Sequence, residues 1–147
     1  MKSGFSLLEL IISTALGLFL LTAFATIYIS TLKTVQLQQA LAGLQDNGRF
    51  LTYYFLSQLH GATVKATDHQ IEINHILYYV GKTSYLNEQK KPVYALFAKP
   101  EDGNRKILAD DVMAMNIKYE GRGVKIILLL TTPDGQLQKE WDIYGAL

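Results

Sequence analysis

The chain has 147 residues, a formal net charge of +1 and no cysteine, and 49% of its residues are hydrophobic. The lack of cysteine excludes disulfide bonds, thiol catalysis and cysteine metal sites. The length suits one membrane helix and one small soluble domain of fewer than about ninety residues, which leaves little room for a deep catalytic cleft. We therefore expect neither an enzyme nor a cofactor.

The first predicted element is an apolar helix over residues 5–29, in which Glu9 is the only charged residue. At about 1.5 Å per residue it spans somewhat more than the roughly 30 Å hydrocarbon core of a bilayer. A carboxylate costs roughly 2.5 to 3.5 kcal/mol near the membrane centre and less towards its edge, so Glu9 needs a compensating group. A cut between Gly4 and Phe5 would create an α-amine four residues before Glu9, about one helical turn away.

The block Gly4-Phe5-Ser6-Leu7-Leu8-Glu9-Leu10, after a short leader that carries only Lys2, resembles the class III signal of type IV pilins and type II secretion pseudopilins. The resemblance implies that a prepilin peptidase cuts after Gly4 and methylates the new amine of Phe5. It also implies that Glu9 is the glutamate used in filament assembly. On this interpretation residues 1–4 are the prepilin leader, and residues 5–29 form the transmembrane and filament-core helix.

Two other interpretations of the N-terminal segment remain open. An ordinary secretory signal would end at Ala23-Phe24-Ala25 and release a globular domain after Ala25. Glu9 inside the apolar core and the long apolar run argue against it. A plain single-pass anchor explains the length of the run, but it explains neither Glu9 nor the Gly4-Phe5 step.

The second predicted element continues the helix over residues 30–60 with one apolar face. There is no proline from Met1 to Lys91, so both halves can form one helix of more than fifty residues, about 80 Å long. Gly61 is the expected stop. The apolar face recurs with steps of four and three, and we expect it to pack against the head at Leu37, Leu41, Leu44, Gly48, Leu51, Phe55 and Leu59.

The stretch from Ala40 to Phe50 is similar to the "A-L-x-x-L-Q-x-N-G-R-F" segment of the PilW group of minor pilins. Its Asn47-Gly48 pair allows two interpretations, because Asn-Gly often marks a turn and glycine inside a helix costs roughly 1 kcal/mol relative to alanine. Either the helix pauses near Gly48, or the glycine lets a neighbouring backbone approach. The apolar steps keep their phase on both sides of Gly48, which favours a continuous helix.

Residues 61–147 are predicted to form a head of β-strands. Candidate strands cover Ile71 to Ile73, Ile76 to Val80, Val93 to Ala98, Ile107-Leu108, Met113 to Tyr119, Val124 to Leu130 and Leu137 to Tyr144. An antiparallel meander laid on the helix face gives an α+β fold of the pilin type. The stretch from Ile107 to Tyr119 also looks like the "L-x-x-x-V-x-x-x-x-I-x-Y" strand of PilW and GspJ-type subunits.

No metal or nucleic-acid site is predicted in the head. His60, His69 and His75 lack the helical i, i+4 pairing of a zinc protease. The head carries eleven basic and eleven acidic residues from Gly61 onwards, whereas a DNA-binding head usually shows a basic excess. We expect no small-molecule substrate and consider nucleic acid an unlikely partner.

Together the resemblances imply a minor pilin of the PilW type, which starts or caps a type IV pilus. The implied partners are prepilin peptidase, the major pilin, other minor pilins and the inner membrane. The implied location is a single pass through the bacterial inner membrane with a periplasmic head, and then the pilus, at its tip. Many major pilins carry a C-terminal disulfide, and this chain differs from them because it has no cysteine. The alternative within the family is a GspJ-like minor pseudopilin of a type II secretion system.

Overall fold

The computed structural model describes residues 6–86, 92–133, 135 and 137–146. One long N-terminal helix packs on antiparallel β-sheets, which confirms the predicted α+β fold. The elements are α1 (Leu7–Leu59), β1 (Val64–Thr67), β2 (Gln70–Ile73), β3 (Ile76–Leu86), β4 (Pro92–Pro100), β5 (Lys106–Asp110), β6 (Val112–Glu120), β7 (Gly123–Thr131) and β8 (Gln138–Ala146).

Helix α1 is continuous over 53 residues, including Gly48. It ends at the predicted place, because Gly61 adopts a φ of +68° that favours glycine and the Ala62 amide donates to the Leu59 carbonyl at 3.2 Å. The chain divides into two compact units, one up to Gln39 and one from Ala40 onwards. The last third of α1 therefore belongs to the same unit as the strands.

The strands form two antiparallel meanders, with the orders β1-β2-β3-β4-β5 and β6-β7-β8. The single meander expected from the sequence is wrong in this respect. Asp111 is the only residue between β5 and β6, and its φ of +60° turns the chain away from the first sheet. The Thr131 amide donates to the Asp111 carbonyl at 2.8 Å, so the turn is held by the end of β7.

Strand β1 is an addition to the predicted pattern, whereas β2 and β3 lie where strands were predicted. β1 pairs with β2 in a register that places Val64 opposite Ile73. A two-residue turn, Asn74-His75, joins β2 to β3 with φ values of 50° and 65°, as a tight hairpin requires. Tyr119 supports β1 from β6, because the Ala66 amide donates to its hydroxyl at 2.9 Å.

The hydrophobic core of the head draws on the helix and on both sheets. The side chains that form this core are apolar, and each is less than a tenth exposed. The largest fully buried members are Leu51, Phe55, Leu59, Ile71, Ile73, Tyr78, Leu96, Val112, Ile126, Leu128, Leu130 and Ile143. Each such side chain contributes roughly 1.5 to 3 kcal/mol when fully buried, so removing the helix would remove a wall of this core.

Candidate functional site

The N-terminus of α1 holds the one charged side chain of the predicted membrane segment. Gly4 and Phe5 lie outside the described residues, so the cleavage site and the methylated amine stay predictions. Ser6 is the first described residue and precedes the first helical residue, Leu7. Glu9 follows in the first turn of the helix.

Glu9 and Ser6 form a reciprocal cap at this end. The Ser6 amide donates to Glu9 Oε2 at 3.0 Å, and the Leu8 amide donates to Ser6 Oγ at 3.3 Å. This is the capping box, in which a serine before the helix and a glutamate three residues later satisfy amides that have no partner inside the helix. The carboxylate also lies at the positive end of the helix dipole. Glu9 is therefore partly compensated by its own helix.

The sequence analysis assigned the compensation of Glu9 to a cut α-amine alone and missed this cap. The signal was present, because Ser6 and Glu9 have the spacing S-x-x-E directly before an apolar run. The cap does not need the cut between Gly4 and Phe5. It leaves a further pairing of Glu9 with an amine as a prediction.

The segment of α1 from Leu7 to Ile29 presents an apolar surface. Every large apolar side chain in it is at least 50% exposed. Among the described residues α1 is the one helix long and apolar enough to cross a membrane. Such a surface needs lipid or other helices to cover it, because a soluble monomer rarely exposes an apolar patch of this extent.

The three threonine hydroxyls of this segment are bonded inside the helix. Thr14 Oγ1 lies 3.0 Å from the Leu10 carbonyl, Thr22 Oγ1 lies 2.8 Å from that of Phe19, and Thr26 Oγ1 lies 2.9 Å from that of Thr22. Each hydroxyl donates to a carbonyl three or four residues earlier in the helix. These polar groups consequently need no water, and they do not oppose burial in a bilayer.

The packing face predicted on the helix is present in its C-terminal part. Leu44, Gly48, Leu51, Phe55 and Leu59 are buried in the head. Leu41 is 39% exposed and Leu37 is 47% exposed. The buried stripe thus starts at Leu44, and the two earlier positions of the predicted set take no part in the core.

Gly48 accommodates a side chain rather than a neighbouring backbone. A Cβ at this position would overlap the indole ring of Trp141 on β8. Trp141 Nε1 donates to Thr52 Oγ1 at 2.8 Å, and Thr52 Oγ1 donates to the Gly48 carbonyl at 2.9 Å. The hydrogen bonds fix the indole against a position on the helix surface that lacks a side chain.

A second close approach joins the end of α1 to the end of β8. A Cβ at Gly145 would overlap the side chain of Leu59. Strand β8 therefore contacts α1 closely at two glycines, Gly48 on the helix and Gly145 on the strand. Sequence reasoning missed both contacts, because the partners are distant in the chain and no local pattern links them.

The histidines of the head do not converge on a site. His60 and His69 are exposed, and His75 Nδ1 lies 3.3 Å from Glu101 Oε2 on an exposed turn. Among the described residues there is no group of three or more histidine, aspartate or glutamate side chains that could hold a metal ion. On the second sheet, Lys125 Nζ donates to Asp142 Oδ2 at 2.8 Å, a bond that raises the pKa of the lysine.

Comparison of the chain with protein-family models, with curated proteins and with solved structures gave no match.

Proposed function

We propose that this protein is a minor pilin of the PilW type. In this proposal prepilin peptidase cuts after Gly4 and methylates Phe5, and the mature subunit joins other minor pilins to start or cap a type IV pilus. The observation that carries the proposal is helix α1 itself. It starts with a capped glutamate, exposes an apolar surface up to Ile29, and ends as a wall of the head core from Leu44 to Leu59.

The proposed location is the bacterial inner membrane, with the head in the periplasm before assembly. The exposed apolar surface of Leu7 to Ile29 and its internally bonded threonine hydroxyls support membrane insertion. Lys2 favours a cytoplasmic N-terminus. After assembly the same surface would pack against the helices of the major pilin and of other minor pilins, and the subunit acts as a structural part rather than an enzyme.

Glu9 is the proposed assembly charge. Its cap uses one carboxylate oxygen, Oε2, for the Ser6 amide. A carboxylate can accept several hydrogen bonds, so the capped group can still meet the amine of Phe5 or that of an adjacent subunit. Pairing between subunits would make assembly depend on the register of neighbouring helices.

The test replaces Glu9 and measures assembly. Glu9→Gln keeps the size of the side chain and can still accept the Ser6 amide bond, but it removes the charge. We expect normal membrane levels and normal cleavage, fewer pili, and reduced co-purification of partner pilins. Glu9→Leu should insert most easily and should assemble no better than Glu9→Gln.

Ser6→Ala is the matched control, because it removes the serine cap and keeps the charge of Glu9. It should cost the helix N-terminus about 0.5 to 2 kcal/mol and leave pilus number close to that of the wild type. Unchanged piliation and unchanged co-purification in both Glu9 variants would contradict the assembly role. A GspJ-like subunit would instead co-purify with secretion pseudopilins, and loss of the gene would affect secretion rather than piliation.

A further inference from the structure

A cavity of about 360 Å³ lies in the head, where the starts of β4, β6 and β8 meet the end of β7. Its walls include Val93, Tyr94, Met113 and Gln138, together with Asp111 from the turn between the two sheets. The walls combine apolar side chains with the polar groups of Tyr94, Gln138 and Asp111, and a concave site that joins apolar surface to convergent polar groups can hold a ligand. None of the function proposed above uses this cavity.

Asp111 is the only charged residue among the described residues that line the cavity. Its backbone is fixed by the bond between its carbonyl and the Thr131 amide at 2.8 Å. Its carboxylate makes no hydrogen bond or ion pair with any residue that the structure describes. Burial, and after it the charge of Asp110, raise the pKa of the Asp111 carboxyl. The ionised carboxylate is therefore partly desolvated, and no residue in the described part of the chain supplies it with a counter-charge.

We propose that the cavity binds an ammonium group on an apolar stem, such as a lysine side chain, with the Asp111 carboxylate as its counter-charge. The apolar walls at Val93 and Met113 suit the methylene stem, since lysine packs its stem on apolar surface while the charged end stays polar. Tyr94 offers a ring face that attracts cations. Lys82, which does not line the cavity, already lies with its Nζ 5.9 Å from the centre of that ring.

The test uses the full chain in detergent micelles with ¹³C-labelled methionine methyl groups. Met113 lines the cavity, whereas Met115 is buried in the core with 2% exposure and serves as the internal control. The probes are the capped peptide Gly-Lys-Gly, n-butylamine, and the capped peptide Gly-norleucine-Gly, which lacks the ammonium. We expect the lysine peptide to shift the Met113 signal while the Met115 signal stays in place, and the norleucine peptide to shift neither.

The two ammonium probes distinguish the sources of the ligand. A response to both identifies a site for any aliphatic ammonium, and a response to the peptide alone identifies a site for a lysine in a polypeptide. An unchanged Met113 signal with both ammonium probes would overturn the proposal. An equal response to the norleucine peptide would also overturn it, because the ammonium would then contribute nothing.

Two matched variants assign the binding to one carboxylate. Asp111→Asn removes the charge inside the cavity, and asparagine tolerates the positive φ at this position. Asp110→Asn removes the adjacent, exposed charge outside the cavity. We expect Asp111→Asn to weaken binding of the lysine peptide by about tenfold or more, and Asp110→Asn to change it by less than about threefold. An equal loss in both variants would show only a general charge effect.

The pH dependence gives a second measurement of the same claim. Only the ionised carboxylate attracts an ammonium, so wild-type binding should weaken as the pH falls through the pKa of Asp111, which lies above the ordinary aspartate value. Among the residues that the structure describes, the other charged groups named at this site are Asp110, next to Asp111 in the chain, and Lys82 at the Tyr94 ring. Binding to Asp111→Asn should be weak and independent of pH in this range. Wild-type binding that is equally independent of pH, with an unchanged Met115 signal, would contradict the role of Asp111.

Discussion

Gly48 shows how one residue can link the helix to the last strand. The space that it leaves on α1 is filled by the Trp141 ring, and Thr52 holds that ring by a hydrogen bond of 2.8 Å. Glycine is unfavourable inside a helix, so its presence here is explained by the contact rather than by the helix. The contact thus offers a direct test of the head packing.

We predict that Gly48→Ala destabilises the head, because the new methyl group would overlap the indole. Overpacking of this kind typically costs about 1 to 3 kcal/mol. The gain in helix propensity from glycine to alanine is roughly 1 kcal/mol, so the upper part of the overpacking range exceeds it. Gly43→Ala is the matched control, since nothing lies within 4 Å of a Cβ at Gly43. Denaturant unfolding of both variants should show a loss for Gly48→Ala and a neutral or favourable change for Gly43→Ala. Equal changes would contradict the packing described here.

The sequence indicated the special role of Gly48 but could not identify its partner. Trp141 lies 89 residues from Thr52 in the chain, and no periodicity relates them. The cap formed by Ser6 and Glu9 was within reach of local reasoning, because both residues lie in one short motif. Local contacts can thus be predicted from spacing, whereas contacts between distant elements need the fold.

At the scale of elements, α1 is both the apolar N-terminal segment and a wall of the head. The buried stripe begins at Leu44 and continues through Leu51, Phe55 and Leu59. These side chains share one core with both sheets. The strands alone would therefore expose the inner faces that now contact the helix.

We predict that a chain starting at Thr31 is soluble and cooperatively folded, whereas a chain starting at Gly61 is not. The second chain lacks Leu44, Leu51, Phe55 and Leu59, each of which contributes roughly 1.5 to 3 kcal/mol when fully buried. The net stability of a small domain is roughly 5 to 15 kcal/mol, and the combined loss of these four side chains exceeds the lower end of that range. Thermal unfolding by circular dichroism is the measurement. A cooperative transition in the chain from Gly61 would show that the helix is not needed for the core.

Periodicity was sufficient to predict the long helix, its end at Gly61 and most strands. It could not predict the division into two sheets, because this depends on the backbone of one residue, Asp111, and on its bond to Thr131. The conformation of the turn at Asn74-His75 was also not predicted, since both residues adopt a positive φ and neither is a glycine. Single-residue conformations of this kind are decided by tertiary contacts.

At the scale of the whole molecule, two features need an explanation that the head alone does not supply. The segment from Leu7 to Ile29 exposes every large apolar side chain, and its first turn carries a capped glutamate. An ordinary anchor accounts for the first feature, and the Ser6 cap allows the second in such an anchor without giving the charge a role. The proposed pilin function gives a role to both features, and it predicts a specific chemical end to the mature chain.

The most direct test is the intact mass of the mature protein, with sequencing of its N-terminal peptide, after purification from a membrane that contains prepilin peptidase. We predict a chain that starts at Phe5 with a methylated amine. Gly4→Val should keep the leader, whereas Gly17→Val, placed where nothing lies within 4 Å of a Cβ, should be processed normally. A mature wild-type chain that starts at Thr26, or that still carries Met1, would contradict the account.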